Sequence, residues 1–234
     1  MHTFILSLTL LLSLAAAPRQ DDERRLLDPE LVPAEGRATR DFVPRGWKVE
    51  GDDGETRGDL NRDGRPDVVL RLVEDIPIEA ADGTYNTRGR ALVVLLSKPG
   101  SVFTRAAVAS KLLGCTLCFG ALGDPAGGNI EVEIKGGVLN VNQLSGSREA
   151  TDLTQHFRYD AGTARFLLTG EDVNNYDRLT GASIVTSTNY LTGLRVTKKT
   201  GPMRERRGPL RFSNKQTRVP ATRRFIEDVD YERQ

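Results

Sequence analysis

The sequence predicts a mainly β fold, a single antiparallel meander closed as a barrel or folded as a sandwich. The chain has 234 residues with 23 glycines and 11 prolines, and this abundance of turn residues with few long helical patterns favours an all-β domain. A hydrophobic content of 38% is enough for one core of ordinary size. The formal net charge of +1 gives no general attraction to nucleic acid or to membranes.

The predicted strands follow one another between short turns. In chain order they cover residues 47–50, 68–74, 91–96, 102–112, 130–135, 138–143, 153–159, 164–168, 183–190 and 194–198. Gly136-Gly137 and Asp160-Ala161-Gly162 have the turn chemistry of hairpins. Residues 91–96 are apolar at every position, which indicates a strand buried on both faces. Consecutive hairpins of this kind build an antiparallel meander.

The two ends of the chain differ in composition from its middle. Residues 1–17 have the pattern of a signal peptide, because a short apolar run at 4–14 precedes Ala15-Ala16-Ala17. That run is too short to cross a bilayer, which takes roughly 20 helical residues. We therefore expect a periplasmic or secreted protein with no membrane span in the mature chain.

The remaining boundaries follow from charge and from proline and glycine. Residues 18–40 are charged and interrupted, and we predict a flexible linker. Residues 41–200 hold the alternating pattern of the β domain. Residues 201–234 are first basic and then acidic, and we predict a disordered tail in which Phe225 and Ile226 are the pair able to dock on the sheet. The alternative is an electrostatic arm for phosphate or an acidic polymer, but only Phe212 lies among the arginines as a stacking platform.

Residues 59–67 have the spacing of a calcium loop. Calcium prefers six to eight oxygen ligands, and alternate positions of a tightly curled loop point toward one centre. Gly64 lies where such a loop turns back sharply. The candidate ligands are Asp59, Asn61, Asp63, the main-chain carbonyl of Arg65, and Asp67.

The loop leads into a strand and not into the helix of an EF-hand. An EF-hand would have a bidentate glutamate at the twelfth position, where this chain has Leu70, and residues 68–73 are mostly β-branched and apolar. Arg62 and Arg65 offset part of the loop's negative charge, so we expect weakened affinity. The alternative is a metal-free turn, since Asp, Asn and Gly are ordinary turn formers.

The string from Gly58 to Leu70, GDLNRDGRPDVVL, resembles one integrin-type FG-GAP/VCBS calcium repeat. The resemblance implies that the four acidic or amide side chains bind calcium together with the carbonyl of Arg65, and that a sheet follows directly. A propeller of that group carries several such repeats. This chain has one, so a complete seven-bladed propeller is not expected.

A broader resemblance covers about residues 42–200. Its motifs are FVPRGW at 42–47, the calcium loop, CTLC at 115–118, GDP at 123–125 and STNYLTG at 187–193. Their order is similar to bacterial exported proteins of unknown function that have one such loop. In that group a glycine often follows the second cysteine, where this chain has Phe119. The resemblance implies a family but no activity.

Cys115 and Cys118 are the only cysteines. Structural zinc would need two more Cys or His ligands, and His156 is the only histidine outside the predicted leader. The loop-like residues 119–125 lack the helix start that lowers a thiolate pKa in redox motifs. In an oxidising compartment we therefore expect a local disulfide between Cys115 and Cys118. His156 is expected to be structural or exposed, since nothing resembles a nucleophile elbow.

These observations predict an exported, calcium-stabilised β domain with a binding or structural role. Its expected cofactor is Ca²⁺, and its expected partner is an extracytoplasmic protein or glycan. Two alternatives stay open: a secreted hydrolase that uses calcium as a structural scaffold, and a thiol-redox protein that uses Cys115 and Cys118. A deep cleft with converging acidic groups would favour the hydrolase.

Overall fold

The computed structural model describes residues 25–202 and 212–233, so the predicted signal peptide at 1–17 lies outside it. The described residues form thirteen strands, and no helix among them is long and apolar enough to cross a bilayer. The strands are β1 (Glu35–Gly36), β2 (Trp47–Val49), β3 (Glu55–Gly58), β4 (Asp67–Glu74), β5 (Arg90–Lys98), β6 (Val102–Ala109), β7 (Ile130–Lys135), β8 (Val138–Gly146), β9 (Glu149–Asp160), β10 (Arg165–Asp177), β11 (Ser183–Asn189), β12 (Leu194–Thr200) and β13 (Phe212–Arg218). Short 3₁₀ helices cover Pro29–Leu31, Thr39–Phe42, Gly120–Leu122, Ile226–Asp228 and Tyr231–Arg233.

The strands belong to two antiparallel sheets. Sheet 1 has the order β1-β6-β5-β4-β2, and β3 also pairs with β4. Sheet 2 runs from β7 to β13 with each strand beside the next in the sequence. The mainly β, antiparallel prediction is confirmed. The meander is found in sheet 2, whereas the first six strands form a sheet of their own.

A hydrophobic core lies between the two sheets. Val69, Leu92 and Val94 of sheet 1 are buried in it with Leu139 and Phe157 of sheet 2. Side chains alternate across a strand, so the next residues of β5 face away from sheet 2. There Ala91, Val93 and Leu95 belong to a second buried cluster. The prediction that residues 91–96 form a strand covered on both faces is correct for Ala91 to Leu95.

The N-terminal segment covers the second face of sheet 1. Leu27, Val32 and Phe42 are almost fully buried against that face with Trp47. The prediction of a flexible linker over 18–40 is therefore wrong for its described part, residues 25–40. Leu27 and Val32 within the segment, with Phe42 directly after it, bury enough apolar area to order a stretch that is otherwise charged.

The described part of the tail also belongs to the fold. Strand β13 pairs with β12 along its whole length, and Ile226 and Val229 are buried in the core between the sheets. Tyr231 packs against Phe119 with ring centroids 5.1 Å apart. The prediction of a disordered tail over 201–234 is wrong for residues 212–233, because these few apolar side chains anchor it. Residues 203–211, with several of the arginines, lie outside the described residues.

Candidate functional site

The predicted calcium loop connects β3 to β4. The two strands are paired so that Gly58 lies opposite Asp67, which makes residues 59–66 a hairpin connection. Gly64 has a φ of 82°, the left-handed conformation that a glycine adopts without the penalty of a Cβ. The sharp turn predicted at Gly64 is therefore present. Arg62 is also left-handed, with a φ of 61°.

Side-chain oxygens hold the loop in a tight curl. Asp59 Oδ1 accepts the Asp63 N–H at 3.0 Å and Asp59 Oδ2 accepts the Gly64 N–H at 2.9 Å. Asn61 Oδ1 also accepts the Asp63 N–H, at 3.1 Å. The residues at the start of the predicted ligand series thus fold the chain back on itself.

Asp63 lies in an exposed, strongly hydrogen-bonded position. Its Oδ1 accepts the Arg65 N–H at 3.0 Å, and its Oδ2 accepts the Asn61 Nδ2–H at 2.9 Å and the Arg65 guanidinium. The Asn61 amide lowers the pKa of Asp63, and Arg65 adds to the effect. The guanidinium of Arg65 therefore supplies positive charge next to this carboxylate.

Asp67 is fully buried at the base of the loop. Its Oδ2 accepts the Leu60 N–H at 2.8 Å and the Asn61 N–H at 3.3 Å, and its Oδ1 accepts the Ser97 N–H at 2.9 Å. Burial raises the pKa of Asp67, an effect that the three backbone donors oppose and that the charge of Asp63 increases. Within the described residues, the hydrogen-bond donors to this carboxylate are main-chain N–H groups, and no salt bridge joins it to a basic side chain.

The donor set of the loop has the chemistry that calcium requires, since every proposed ligand is an oxygen. Within residues 25–202 and 212–233, no three His, Cys, Asp or Glu side chains converge on a metal-binding group. The loop gathers Asp59, Asn61 and Asp63 through mutual and backbone hydrogen bonds. To bind an ion, Asp63 would have to exchange its contact with Arg65 for one with the metal.

The loop also contacts sheet 2. Arg62 Nη2 donates a hydrogen bond to the Gly136 carbonyl at 2.9 Å, and Thr56 Oγ1 of β3 donates to the Val132 carbonyl at 3.1 Å. Gly136 belongs to the β7–β8 turn. The loop is therefore attached to both sheets at one end of the molecule.

A buried charge cluster was not predicted from the sequence. Glu50 lies between Arg71 and Arg90, with Oε2 3.2 Å from Arg71 Nε and Oε1 2.7 Å from Arg90 Nη2. All three side chains are at most 2% exposed. The available signal was Arg71 itself, a charged residue inside the apolar run of β4. Because these three side chains are closed to solvent, their mutual pairing is expected to contribute to stability.

The cysteines lie on a loop that supports this cluster. Cys115 and Cys118 form a close pair, with sulfur atoms 2.11 Å apart, as the predicted local disulfide requires. The Cys115 carbonyl accepts Arg90 Nη1–H at 3.3 Å, and the Asp124 carbonyl accepts Arg90 Nη2–H at 3.0 Å. The pair is followed by Phe119 and a 3₁₀ turn rather than an α-helix. This arrangement favours a structural role over a redox role.

A groove crosses the outer face of sheet 2 around His156. Its volume is about 570 Å³, and its lining includes Lys135, Asn140, His156, Arg158, Asp172 and Ser187; these residues are called the His156 groove below. His156 Nδ1 lies 2.7 Å from Asn140 Oδ1, and its Nε2 lies 3.0 Å from Asp172 Oδ2. The sequence predicted a structural or exposed histidine, but it did not predict that both ring nitrogens of His156 would have side-chain partners.

Comparison with protein-family models, with curated proteins and with solved structures found no match to this chain. The fold therefore defines only a structural class, that of mainly β proteins built from two antiparallel sheets. Its function has to be inferred from its own residues.

Proposed function

We propose that this chain is an exported β-sandwich with a binding or structural role, stabilised by calcium in the loop at residues 59–67. The sandwich assignment is supported by the hydrophobic core that both sheets share. Asp59, Asn61, Asp63 and Asp67 would supply side-chain oxygens, and Arg65 its carbonyl. Calcium bound there would contribute positive charge and hold β3 to β4.

One observation carries the proposal. Asp67 is a fully buried carboxylate at the base of a loop in which all the candidate donors are oxygens. Burying a charged carboxylate without an opposite charge is unfavourable, and burial raises the pKa of Asp67 accordingly. A divalent cation in the loop would offset this penalty. The same ion would also reduce the repulsion between Asp63 and Asp67 that contributes to that pKa.

Thermal unfolding in calcium and in chelator tests the proposal. A ligand that binds only the native state at a hundredfold excess over its Kd adds about 2.7 kcal/mol. For a domain of this size that free energy corresponds to a rise in Tm of roughly 5–10 °C. Extracellular calcium modules bind at about 10⁻⁴ to 10⁻³ M, so the titration should extend above 10 mM, roughly a hundred times the tighter of these values.

Asp63→Ala should remove most of the calcium response. Asp82→Ala is the matched control, because Asp82 also accepts a backbone N–H, from Thr84 at 3.0 Å, in an exposed turn outside the loop. Identical melting curves of the unmodified protein in calcium and in chelator would refute the calcium site. A calcium response that survives in Asp63→Ala would place the ion elsewhere.

A further inference from the structure

We propose that the His156 groove binds an acidic saccharide, with the anionic group at Lys135 and Arg158 and the hydroxyl groups along Asn140, Asp172 and Ser187. This inference rests on the binding role proposed above and names the surface and the chemical class of the ligand. The groove does not include the calcium loop, so the two sites can be tested separately.

Strand register places these side chains in rows across sheet 2. Val138 pairs with both Lys135 and Arg158, so the two cations flank Val138. Neighbouring strands lie about 4.8 Å apart, and the two cationic residues are therefore about 10 Å apart across β7, β8 and β9.

The next rows of the groove carry neutral and acidic hydrogen-bonding groups. Asn140 pairs with His156. One row further along β10, Asp172 pairs with Ser187 of β11. The rows together give a cationic end followed by a surface of amide, imidazole, carboxylate and hydroxyl groups.

The centre of the groove is fixed and open. Both ring nitrogens of His156 have partners, Asn140 and Asp172, so the imidazole is held in one orientation. Gly170 lies directly opposite His156 in the neighbouring strand. A Cβ at this position would lie 3.5 Å from the imidazole and 3.2 Å from the Thr188 carbonyl. The missing side chain leaves His156 accessible from above.

The charges of the groove are not balanced evenly along its length. Lys135 and Arg158 are exposed, and neither forms an ion pair with any residue in the described ranges. The acids are already engaged: Asp172 contacts His156 on the groove face, and Glu171, which pairs with the buried Gln155 on the other face of the sheet, accepts hydrogen bonds from Gln155 and Tyr190. Among the residues that the structure describes, one end of the groove therefore has two cations without an ion-pair partner.

Glu133 is the acid beside the cationic end. It lies on the same face one row from Lys135, and its Oε2 is 3.5 Å from Asn140 Nδ2. The acid is exposed and faces the amide, so it borders the middle of the groove. The negative charge of Glu133 would repel an anionic group of the ligand from the middle of the groove, so that this group would bind in the row of Lys135 and Arg158.

The chemistry of the lining selects the ligand class. Free Arg and Lys side chains form charge-assisted hydrogen bonds with carboxylate or phosphate, while amide, hydroxyl and carboxylate groups suit a ligand with many hydroxyls. Val138 and Leu191 are the apolar side chains of the lining, which is too little for an apolar ligand. An extended peptide adds to the edge of a sheet through backbone hydrogen bonds, and the groove lies on a face.

Isothermal titration calorimetry of the full mature chain tests the inference with two matched probes, α-1,4-linked trigalacturonate and the neutral α-1,4-linked galactotriose. We expect the acidic trimer to bind at least about tenfold more tightly, as a charge-assisted contact implies. Arg158→Ala and Lys135→Ala should each weaken its binding about tenfold. Arg57→Ala, an exposed cation on β3 that pairs with Glu55, is the control and should bind like the unmodified protein.

Each titration is run in chelator and again in calcium. Binding in chelator with no effect of calcium on Tm would refute the calcium site and leave the groove intact. Calcium stabilisation without binding of trigalacturonate would refute the groove. Equal binding of the acidic and neutral trimers, equal binding of a glutamate hexapeptide, or no effect of Arg158→Ala and Lys135→Ala in variants that keep the parent Tm would also overturn the assignment.

Discussion

The two sheets of this protein use their faces in different ways. Sheet 1 is covered on both sides, by sheet 2 on one face and by the N-terminal segment on the other, and all eight residues of β4 are buried. In the part of the chain that the structure describes, sheet 2 packs against a hydrophobic core on one side only. Its outer face carries the polar rows of the His156 groove, and much of β11 and β12 is exposed or half-buried.

This difference determines what a charged residue can do in each sheet. In sheet 1 the side chains of Arg71 and Arg90 are at most 2% exposed and are paired with Glu50 and with backbone carbonyls. Buried charges require such partners. In sheet 2 the cations Lys135 and Arg158 remain exposed. The covered sheet therefore uses charge for internal cohesion, whereas the open sheet leaves charge at its surface, where we propose that a ligand binds.

The largest expected loss of stability follows from removing one of the buried charges of sheet 1. Glu50→Gln should destabilise the protein by about 3–5 kcal/mol, since removing one partner leaves buried charge uncompensated. Urea unfolding measures the change. The control is Asp53→Asn, because Asp53 bonds the same Arg71 at 2.7 Å but its side chain is 70% exposed. That change should remain below about 1 kcal/mol, and equal losses in the two variants would contradict the contrast between buried and exposed partners.

The next effect tests whether the N-terminal segment covers sheet 1. Leu27 is 1% exposed and its neighbour Leu26 is 40% exposed. Leu27→Ala should lower the free energy of unfolding by about 2–5 kcal/mol, because it removes buried methyl groups and leaves a cavity. Leu26→Ala should stay within about 0.5 kcal/mol. If residues 25–40 were a linker, both variants would unfold like the parent protein.

The sequence was sufficient to predict those strands that a local pattern of apolar residues and turn residues determines. Strand β7, the turn after it and the first residues of β8 were predicted where they occur, because clean alternation on both sides of Gly136-Gly137 determines both the strands and the turn; β8 continues to Gly146, beyond the predicted residue 143. Strand β5 was predicted as covered on both faces from its unbroken apolar run. Strands β9 and β10 proved longer than predicted, at Glu149–Asp160 and Arg165–Asp177, because their outer halves have few apolar residues.

The predictions of a flexible linker and of a disordered tail were wrong, for the described parts of the two chain ends, for a common reason. Their composition is charged, and composition averages over a segment. Burial instead depends on single residues such as Leu27, Val32, Ile226 and Val229, which pack against strands distant in sequence. The sequence indicates Phe225 and Ile226 as a pair able to dock on the sheet, and Ile226 is indeed buried in the core. Nothing in the local pattern shows that the rest of the described tail follows them, or that sheet 1 lacks a cover on one face.

In the candidate sites, too, features set by local sequence could be predicted, whereas features that depend on distant parts of the chain could not. The sharp turn at Gly64 could be predicted from spacing, whereas the burial of Asp67 and the contact between Arg65 and Asp63 depend on the folded chain. The His156 groove was missed because its residues come from separate strands. A β-bulge after Leu168 shifts the register of β10. It places Asp172 on the same face as His156, where simple alternation from Phe166 and Leu168 would have put it on the core side.

The smallest expected effect is at a surface ion pair at the strand ends of sheet 2, in which Arg148 is exposed and Asp177 is half-buried. Arg148 Nη2 lies 2.8 Å from Asp177 Oδ2, and its hydrogen bond is the main reason why the pKa of Asp177 falls from 3.8 to about 2. A carboxylate with a lowered pKa in the folded state stabilises that state above its unfolded pKa. This contribution is lost as the pH falls from about 4 through about 2.

Arg148→Ala should raise the pKa of Asp177 toward 3.8 without reaching it, because the N–H groups of Leu179 and Thr180 still donate to the carboxylate. A carboxyl-detected NMR titration of Asp177 measures this shift.

The stability of the variant at neutral pH should change far less than that of Glu50→Gln, since solvent reaches the exposed Arg148 and screens a surface pair. Arg178→Ala is the control, because Arg178 donates to the Ser147 carbonyl nearby but not to Asp177. An unchanged pKa of Asp177 in Arg148→Ala would show that the turn's backbone donors, and not the ion pair, determine it.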